Sequence, residues 1–259
     1  MIKRQWKAIA GRRGPIGTGV QPAIVASIQA SSPQAVRDAA AELGRAGVDL
    51  IEWRIDSFSM AHDVSAVLEV MAQEELAMAG APVLCTFRSA AEGGASDASS
   101  ETILAVLRAL ADQGIADILD VELRYPATET AALITAAHRH GIPVMLSQHD
   151  FESTPSLEKL VATFVVGRQR GGDVVKVAVM PQTPDDVDRL LEATRRASEG
   201  GRHAVVGIAM GELGARSRIE GGEHGSVLTF AAGRRSSAPG QWPIATLRAA
   251  LDERYGHQA

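Results

Sequence analysis

Eight short apolar runs alternate with amphipathic stretches along the chain, and this alternation constrains the fold more than any other sequence feature. The runs have the length and the β-branched composition of strands that are buried on both faces. Strands that alternate with helices predict a parallel sheet with helices packed against it. The eight candidate strands are Ala23–Ile28, Val48–Glu52, Val83–Phe87, Ile118–Val121, Val144–Ser147, Val174–Val179, Ala204–Ile208 and Val227–Phe230.

The stretches between these runs carry signals for the starts of helices. Ser32-Pro33, Thr154-Pro155 and Thr183-Pro184 each pair an N-cap residue with a proline, which suits the first helical position. Ser99 or Ser100 begins a further helix, and the last helix is predicted over Pro243–Tyr255.

Eight strand–helix units in 259 residues match the count of a (β/α)8 TIM barrel, and we expect one domain over residues 1–259. A doubly wound open sheet is the alternative, but no glycine-rich dinucleotide fingerprint follows the first strand. Turn signals at Gly14-Pro15 and Gly17-Thr18-Gly19 precede that strand. We therefore expect a short N-terminal hairpin that closes the bottom of the barrel.

Composition excludes several classes of function. The net charge of −5 argues against a general nucleic-acid surface, and no segment approaches the roughly 20 apolar residues of a membrane span. The single cysteine, Cys85, allows no internal disulfide, which suits a reducing cytoplasm. No cysteine–histidine cluster indicates a zinc site, and His138 and His140 are interpreted as cations at a helix end. We expect a cytoplasmic protein that binds a small molecule and contains no metal.

Lys176 lies inside the apolar run Val174–Val179. Burial would lower the pKa of its amine below the ordinary value of about 10.4. The neutral amine is a nucleophile that forms Schiff bases with ketones. The alternative is a lysine at a strand end that reaches solvent or pairs with a carboxylate.

Charged residues follow several strands at their carboxyl ends, where barrel enzymes place their active sites. His149 has an ordinary pKa near 6.5, so it can accept and then return a proton near neutral pH. A carboxylate such as Glu92 could orient the imidazole, and arginines could bind an anionic group. Taken singly, each residue also has a structural interpretation; Glu52 and Arg54, for example, could form an ion pair. Together, the charged groups that follow many strands predict one site at the barrel mouth.

These segments resemble those of type I 3-dehydroquinate dehydratase, in the family's order and close to its spacing. The matching segments are Glu52-Trp53-Arg54-Ile55-Asp56, Thr86 to Gly94, His149-Asp150-Phe151 with Thr154-Pro155, Val175-Lys176-Val177-Ala178, Met210-Gly211, Ser217-Arg218, Gly225-Ser226 with Thr229-Phe230, and Ser237-Ala238-Pro239-Gly240-Gln241. Departures from the usual pattern are Gln148 in place of an aromatic residue and Ala209 in place of a serine.

The resemblance implies a (β/α)8 barrel that acts as a homodimer without metal or organic cofactor. It implies the conversion of 3-dehydroquinate to 3-dehydroshikimate and water, a reaction of the shikimate pathway that serves aromatic biosynthesis or quinate breakdown. In this resemblance, Lys176 forms an imine with the C3 ketone. His149 removes the C2 proton and later protonates the departing C1 hydroxyl, while Glu92 orients His149.

The resemblance also implies a set of substrate-binding residues. Arg218 binds the carboxylate with help from a closing loop, and Met210 and Phe230 exclude water from the imine. The full set is Ser27, Glu52, Arg54, Arg88, Met210, Arg218, Phe230, Ser237 and Gln241. Two alternatives remain: another class I Schiff-base barrel, such as an aldolase for a phosphorylated sugar, and a barrel that binds ligand without catalysis.

Overall fold

The strands of this protein form one parallel eight-stranded sheet and one antiparallel hairpin. The structure is a computed structural model that describes residues 7–72, 80–199, 203–234 and 236–256. The hairpin consists of β1 (Ile9–Gly11) and β2 (Gly14–Ile16). The parallel strands are β3 (Ala23–Ile28), β4 (Leu50–Arg54), β5 (Val83–Thr86), β6 (Ile118–Glu122), β7 (Val144–Asp150), β8 (Val174–Val179), β9 (Ala204–Ala209) and β10 (Leu228–Ala231).

Helices follow the strands in the alternating order that the sequence predicts. In the described ranges they are α1 (Pro33–Arg45), α2 (Val64–Ala72), α3 (Ser100–Gln113), α4 (Ala127–Arg139), α5 (Leu157–Gln169), α6 (Pro184–Ser198), α7 (Ala215–Glu220) and α8 (Ile244–Tyr255). Ser32 and Ser99 cap α1 and α3 as predicted, and Thr183 begins α6 with a capping box that includes Asp186.

The sheet closes almost completely into a barrel. Its strands are hydrogen-bonded in the order β10-β3-β4-β5-β6-β7-β8-β9. The two ends of this order meet where Val227 N–H donates to the Val205 carbonyl at 2.9 Å and where Val205 bridges Ser226. The predicted (β/α)8 architecture is therefore confirmed, and the carboxyl ends of all eight strands lie at one mouth.

The lower half of the barrel interior is apolar, and the hairpin closes it. Ile9 and Ile16 from the hairpin are buried in the cluster that fills this half. Arg12, in the hairpin turn, donates to backbone carbonyls of the loop before β6, which fixes the hairpin against the barrel. The strand residues of this lower cluster include Val25, Leu50, Leu84, Ile118, Met145, Val174 and Ala204.

Some boundaries differ from the predictions. Strand β7 extends to Asp150 rather than ending at Ser147, because Gln148, His149 and Asp150 continue the ladder with β8. The predicted start of a helix at Thr154-Pro155 is wrong. Helix α5 begins at Leu157, because the Ser156 side chain accepts the Lys159 N–H and caps the helix.

Several features singled out in the sequence have structural roles. Nε2 of His138 donates to the Asp173 carboxylate at 2.8 Å. The described residues contain no cluster that could hold a metal ion. Cys85 is fully buried, and burial raises the pKa of its thiol. No helix in the described part of the chain has both the length and the apolar character to cross a membrane.

Three aspartates fasten neighbouring strands at the bottom of the barrel. Asp49, Asp117 and Asp173 each directly precede a strand and accept a backbone N–H from the start of the preceding strand. The donors are the N–H groups of Ile24, Val83 and Val144, at 2.7, 2.9 and 2.8 Å. These bonds satisfy N–H groups at the beginnings of strands, which would otherwise lack an acceptor in the ladder.

Replacing Asp117 with alanine is expected to destabilise the barrel by about 1–3 kcal/mol, because the buried Val83 N–H loses its acceptor. The substitution also removes the ion pair with Arg13. Urea denaturation measures the change. The matched control is Asp112→Ala, which removes an exposed ion pair with Arg108 and is expected to cost less than about 0.5 kcal/mol. Equal losses in the two variants would contradict the fastening role.

Candidate active site

A pocket opens inside the barrel mouth, at the carboxyl ends of the strands. Of the twelve residues that the sequence predicts for the site, only Ser27 is absent from its wall; Ser27 lies behind Glu52 and donates to its carboxylate. The wall consists of Glu52, Arg54, Arg88, Glu92, Gly93, His149, Phe151, Lys176, Ala178, Ile208, Met210, Arg218, Phe230, Ser237, Ala238 and Gln241.

The pocket has a charged half and an apolar half. Strands β4 to β7 and the segment that follows β5 carry Glu52, Arg54, Arg88, Glu92 and His149 into the wall. The opposite part of the wall, from β8 to β10, is apolar at Ala178, Ile208, Met210 and Phe230. Its charged exceptions are Lys176 and Arg218. A ligand with polar groups on one side and hydrocarbon on the other fits this division.

Lys176 projects from β8 and is 6% exposed, so its amine does not reach solvent as a surface lysine does. It also forms no ion pair with a described residue. Its Nζ lies 4.1 Å from the centre of the Phe230 ring. Burial lowers the pKa of this amine; Arg88 and Arg54 lower it further, while Glu52 opposes the shift. The neutral, nucleophilic form is therefore more accessible than in a surface lysine.

Glu52 is a buried carboxylate whose two oxygens are both occupied. One oxygen accepts the Ser27 hydroxyl, and the other accepts the Thr86 hydroxyl at 3.1 Å. Burial alone would raise the pKa of Glu52, but Lys176 and Arg54 outweigh it and hold the pKa below its usual value. Glu52 is therefore an anion that compensates positive charge at Lys176.

His149 and Glu92 form a hydrogen-bonded pair. Nδ1 of His149 lies 2.9 Å from Oε2 of Glu92, and the same oxygen accepts the His149 backbone N–H at 3.0 Å. Because Oε2 acts as an acceptor here, we place the imidazole proton on Nδ1, which leaves Nε2 free to take a proton.

Burial sets the protonation of this pair. Burial, with Arg88 and Lys176, lowers the pKa of His149 well below its ordinary value. Burial and the nearby Glu122 raise the pKa of Glu92, and Arg88, whose Nη1 is 3.6 Å away, only partly offsets them. Neutral imidazole is consequently the resting form, as a general base requires.

Arg88 is held by carboxylates below the pocket. Its Nη2 donates to both oxygens of Asp120 at 3.1 Å, and its Nη1 donates to Glu122 and Ser147 at 3.0 Å each. These neighbours raise the pKa of Arg88. Arg88 therefore lines the pocket as a charge already paired, with little capacity left for a ligand.

The sequence analysis assigned no site role to Asp120, Glu122, Ser147 or Phe151. The ring of Phe151 stacks on His149 at a centroid distance of 6.4 Å. A signal for two of them was present: Asp120 and Glu122 interrupt an apolar strand just as Lys176 does. A charge inside a buried strand calls for a partner, and here the partner is Arg88, from the segment that follows the neighbouring strand β5.

Arg54 and Asp56 form a bidentate ion pair, with both donor–acceptor distances at 2.8 Å. Asp56 also accepts the backbone N–H groups of Arg88 and Ala95. Both these bonds and Arg54 lower the pKa of Asp56, although its burial opposes the shift. The pair thus fixes the loop after β5 and directs the rest of the Arg54 side chain into the pocket wall.

Arg218 is 1% exposed, and the hydrogen bonds of its guanidinium to described residues all go to backbone carbonyls. It donates to Phe230 O at 3.2 Å, Gly240 O at 3.1 Å and Pro239 O at 3.0 Å. Burial without an anionic neighbour lowers the pKa of Arg218 to about 10. Three of its five N–H groups are used, so a buried positive charge with free donors faces the pocket.

The loop between β10 and α8 covers the mouth. Its ends are joined by the Ala232 N–H, which donates to Trp242 O at 2.8 Å. Within it, Gln241 Oε1 accepts the Ser237 N–H at 2.8 Å, and the Ser237 hydroxyl lies 2.9 Å from that of Ser27. Gly240 has a positive φ and packs so closely on Gly211 that a side chain would clash with its carbonyl.

Known proteins are similar to this chain over most of its length. The family model described as Type I 3-dehydroquinase matches residues 24–258. A 3-dehydroquinate dehydratase from Klebsiella pneumoniae (strain 342) is 39% identical and covers 80% of this chain and 83% of its own. One from Salmonella agona (strain SL483) is 36% identical, covering 95% and 97%.

The fold is also similar to a solved structure. The 3-dehydroquinate dehydratase of Geobacillus kaustophilus HTA426 superposes with a TM-score of 0.91 at 34% identity, covering 98% of this chain and 99% of its own. Sequence and structure comparisons therefore agree over almost the whole chain.

Proposed function

The chain belongs to the type I 3-dehydroquinase family, and on that premise we propose how its site residues convert 3-dehydroquinate into 3-dehydroshikimate and water. The observation that carries the assignment of roles is the buried Lys176 amine, which shares a pocket with the His149–Glu92 pair. No metal or cofactor is needed for the steps that these residues support.

Lys176 attacks the C3 ketone and forms the imine. Its lowered pKa makes the neutral amine available, and Glu52 compensates the positive charge that the nitrogen carries once the iminium has formed. The iminium withdraws electrons from C2 and acidifies the hydrogen there. Arg54 and Glu52, on the charged half of the wall, are placed to position the ring hydroxyls.

His149 moves the protons. Nε2 takes the C2 proton, because Glu92 holds the only imidazole proton on Nδ1. The resulting imidazolium is stabilised by Glu92 and then protonates the departing C1 hydroxyl as water. One residue thus acts as base and then as acid, and the Lys176 imine is finally hydrolysed.

Arg218 binds the substrate carboxylate. A buried guanidinium with no anionic partner among the described residues is costly, and a bound carboxylate would offset that cost. Ser237 and Gln241 lie on the covering loop. This loop is held to the barrel where Ser237 meets Ser27 and where Arg218 donates to the Pro239 carbonyl, so both side chains are placed to close the site around the ligand. Met210 and Phe230 keep water from the imine.

The alternative of an aldolase for a phosphorylated sugar has less support. Such an enzyme needs free backbone N–H groups near the seventh and eighth strands of the barrel for the phosphate. Here the candidate N–H groups are bonded: Gly207 to Ser226, Ala209 to Ser217, Met210 to Val179 and Gly211 to Pro239. The segment therefore has no vacant donors for a phosphate at these four positions.

The proposal extends to the setting of the enzyme. We take residues 1–259 as one barrel domain that acts in the cytoplasm as a homodimer, as the single cysteine and the family resemblance indicate. Sedimentation of the purified protein measures the oligomeric state, and a monomer at the enzyme's working concentration would contradict the dimer.

Borohydride trapping tests the proposed function. With 3-dehydroquinate and borohydride, we expect a mass adduct on the peptide that contains Lys176. The chain has only three other lysines, Lys3, Lys7 and Lys159, so peptide mapping assigns the site without ambiguity. Lys176→Ala is expected to lose both adduct and turnover while remaining folded. An adduct on another lysine, or none, would refute the role of Lys176.

Glu92→Gln is expected to lower kcat by about a hundredfold and to move the acid limb of the kcat/KM profile to lower pH. In the unmodified enzyme the raised pKa of Glu92 makes its ionisation, and thus activity, increase as pH rises. The amide removes that titration, and loss of the anion also lowers the pKa of His149. An acid limb at unchanged pH would show that Glu92 does not set it.

Arg218→Gln is expected to raise KM for 3-dehydroquinate at least about tenfold, since charged hydrogen bonds contribute about 1.5–3 kcal/mol. Binding of a cyclic ketone without a carboxylate should change little. Arg216→Gln is the matched control, because Arg216 lies on the same helix but is exposed and paired with Asp188. A KM that stays constant in the Arg218 variant would remove this residue from the carboxylate site.

A further inference from the structure

The face of the Phe230 ring lies beside the reacting nitrogen. Nζ of Lys176 lies 4.1 Å from the ring centre, well within the roughly 6 Å at which an aromatic face attracts a cation. No hydrogen bond or ion pair joins this nitrogen to another described residue. The negative face of the ring therefore lies within interaction range of this nitrogen.

The neighbouring carboxylates are committed elsewhere. Both oxygens of Glu52 accept hydrogen bonds from hydroxyl groups, and both oxygens of Asp120 accept hydrogen bonds from Arg88. They act on Lys176 through space, without direct contact. Among the described residues, the Phe230 ring is the group whose direct interaction with this nitrogen is observed.

A positive charge forms on this nitrogen twice in the proposed reaction. Condensation of the neutral amine with the ketone takes up one proton from solvent and releases water, which gives the iminium. Loss of the C2 proton to His149 then converts the iminium into a neutral enamine. In the next step the nitrogen lone pair re-forms the C=N bond, and the C2–C3 electron pair moves to C1–C2. The C1–O bond breaks, and the oxygen leaves as water with the proton from His149, restoring the cation.

We propose that Phe230 is a catalytic residue that stabilises the iminium cation through its ring face, beyond forming an apolar wall. This inference rests on the proposed function of Lys176. The ring suits a charge that must form and discharge, because its attraction is weaker than that of a carboxylate in contact. A paired carboxylate would also hold the cation against loss of the C2 proton.

The fold fixes the ring in this position. Phe230 lies on β10, where its backbone pairs with Val25 of β3, and its carbonyl accepts Nη1 of Arg218 at 3.2 Å. The ring is 4% exposed. Its face is therefore presented to Lys176 before substrate arrives, and little reorganisation is needed when the charge develops.

A series of fluorinated phenylalanines at position 230 tests this role. One, two or three ring fluorines progressively withdraw electron density from the face while the shape of the side chain hardly changes. We expect kcat to fall stepwise, by roughly tenfold over the series. The amount of borohydride-trapped adduct formed with 3-dehydroshikimate at fixed pH should fall in parallel, and KM should change little.

The same series at Phe164, which is fully buried on α5 away from the pocket, is the matched control and should leave kcat unchanged. Phe230→Leu removes the ring but keeps an apolar wall, and its kcat should be equal to or lower than that of the trifluorinated enzyme. A flat fluorine series with the Lys176 adduct intact would overturn this inference alone. Loss of the Lys176 adduct in the unmodified enzyme would instead overturn the proposed function beneath it.

Discussion

The burial of the Lys176 amine is the constraint on which the upper half of the barrel depends. A lysine on a strand that faces the barrel interior is largely removed from bulk solvent, so burial and the surrounding groups set its protonation. Glu52 supplies a compensating anion, and Arg88 and Arg54 oppose it. Those arginines are in turn balanced by their own carboxylates, Asp120 and Asp56. The site is therefore a set of ion pairs around Lys176, whose own amine forms no ion pair with a described residue.

The barrel separates this charged layer from an apolar base. Below it, aliphatic side chains and the hairpin residues Ile9 and Ile16 fill the interior and keep water from entering at the bottom. Interiors of this kind are close-packed, and their rigidity carries over to the residues above them. The strands can therefore present Lys176, His149 and Phe230 at fixed distances.

Arg218 connects the pocket to the loop that covers it. Its guanidinium is bonded to the carbonyls of Pro239 and Gly240 on the loop and of Phe230 on the barrel. A carboxylate bound at Arg218 would act on a group that already holds the loop, the strand and the ring face together. In the proposed mechanism, Arg218 would thereby link substrate binding to the stabilisation of charge at Lys176.

The sequence by itself determined the elements of the fold and the identity of the unusual residues. Apolar β-branched runs predict buried strands because their side chains have no other place, Ser32 and Thr183 predict helix starts, and Lys176 is conspicuous because it breaks its run. Only the tertiary structure decided which groups meet. His149 reaches Glu92 across 57 positions, and Phe230 faces Lys176 from a strand that is not its neighbour. Local periodicity reports whether a side chain is buried, but sheet closure and strand register, which are set by packing across the whole barrel, determine what lies beside it.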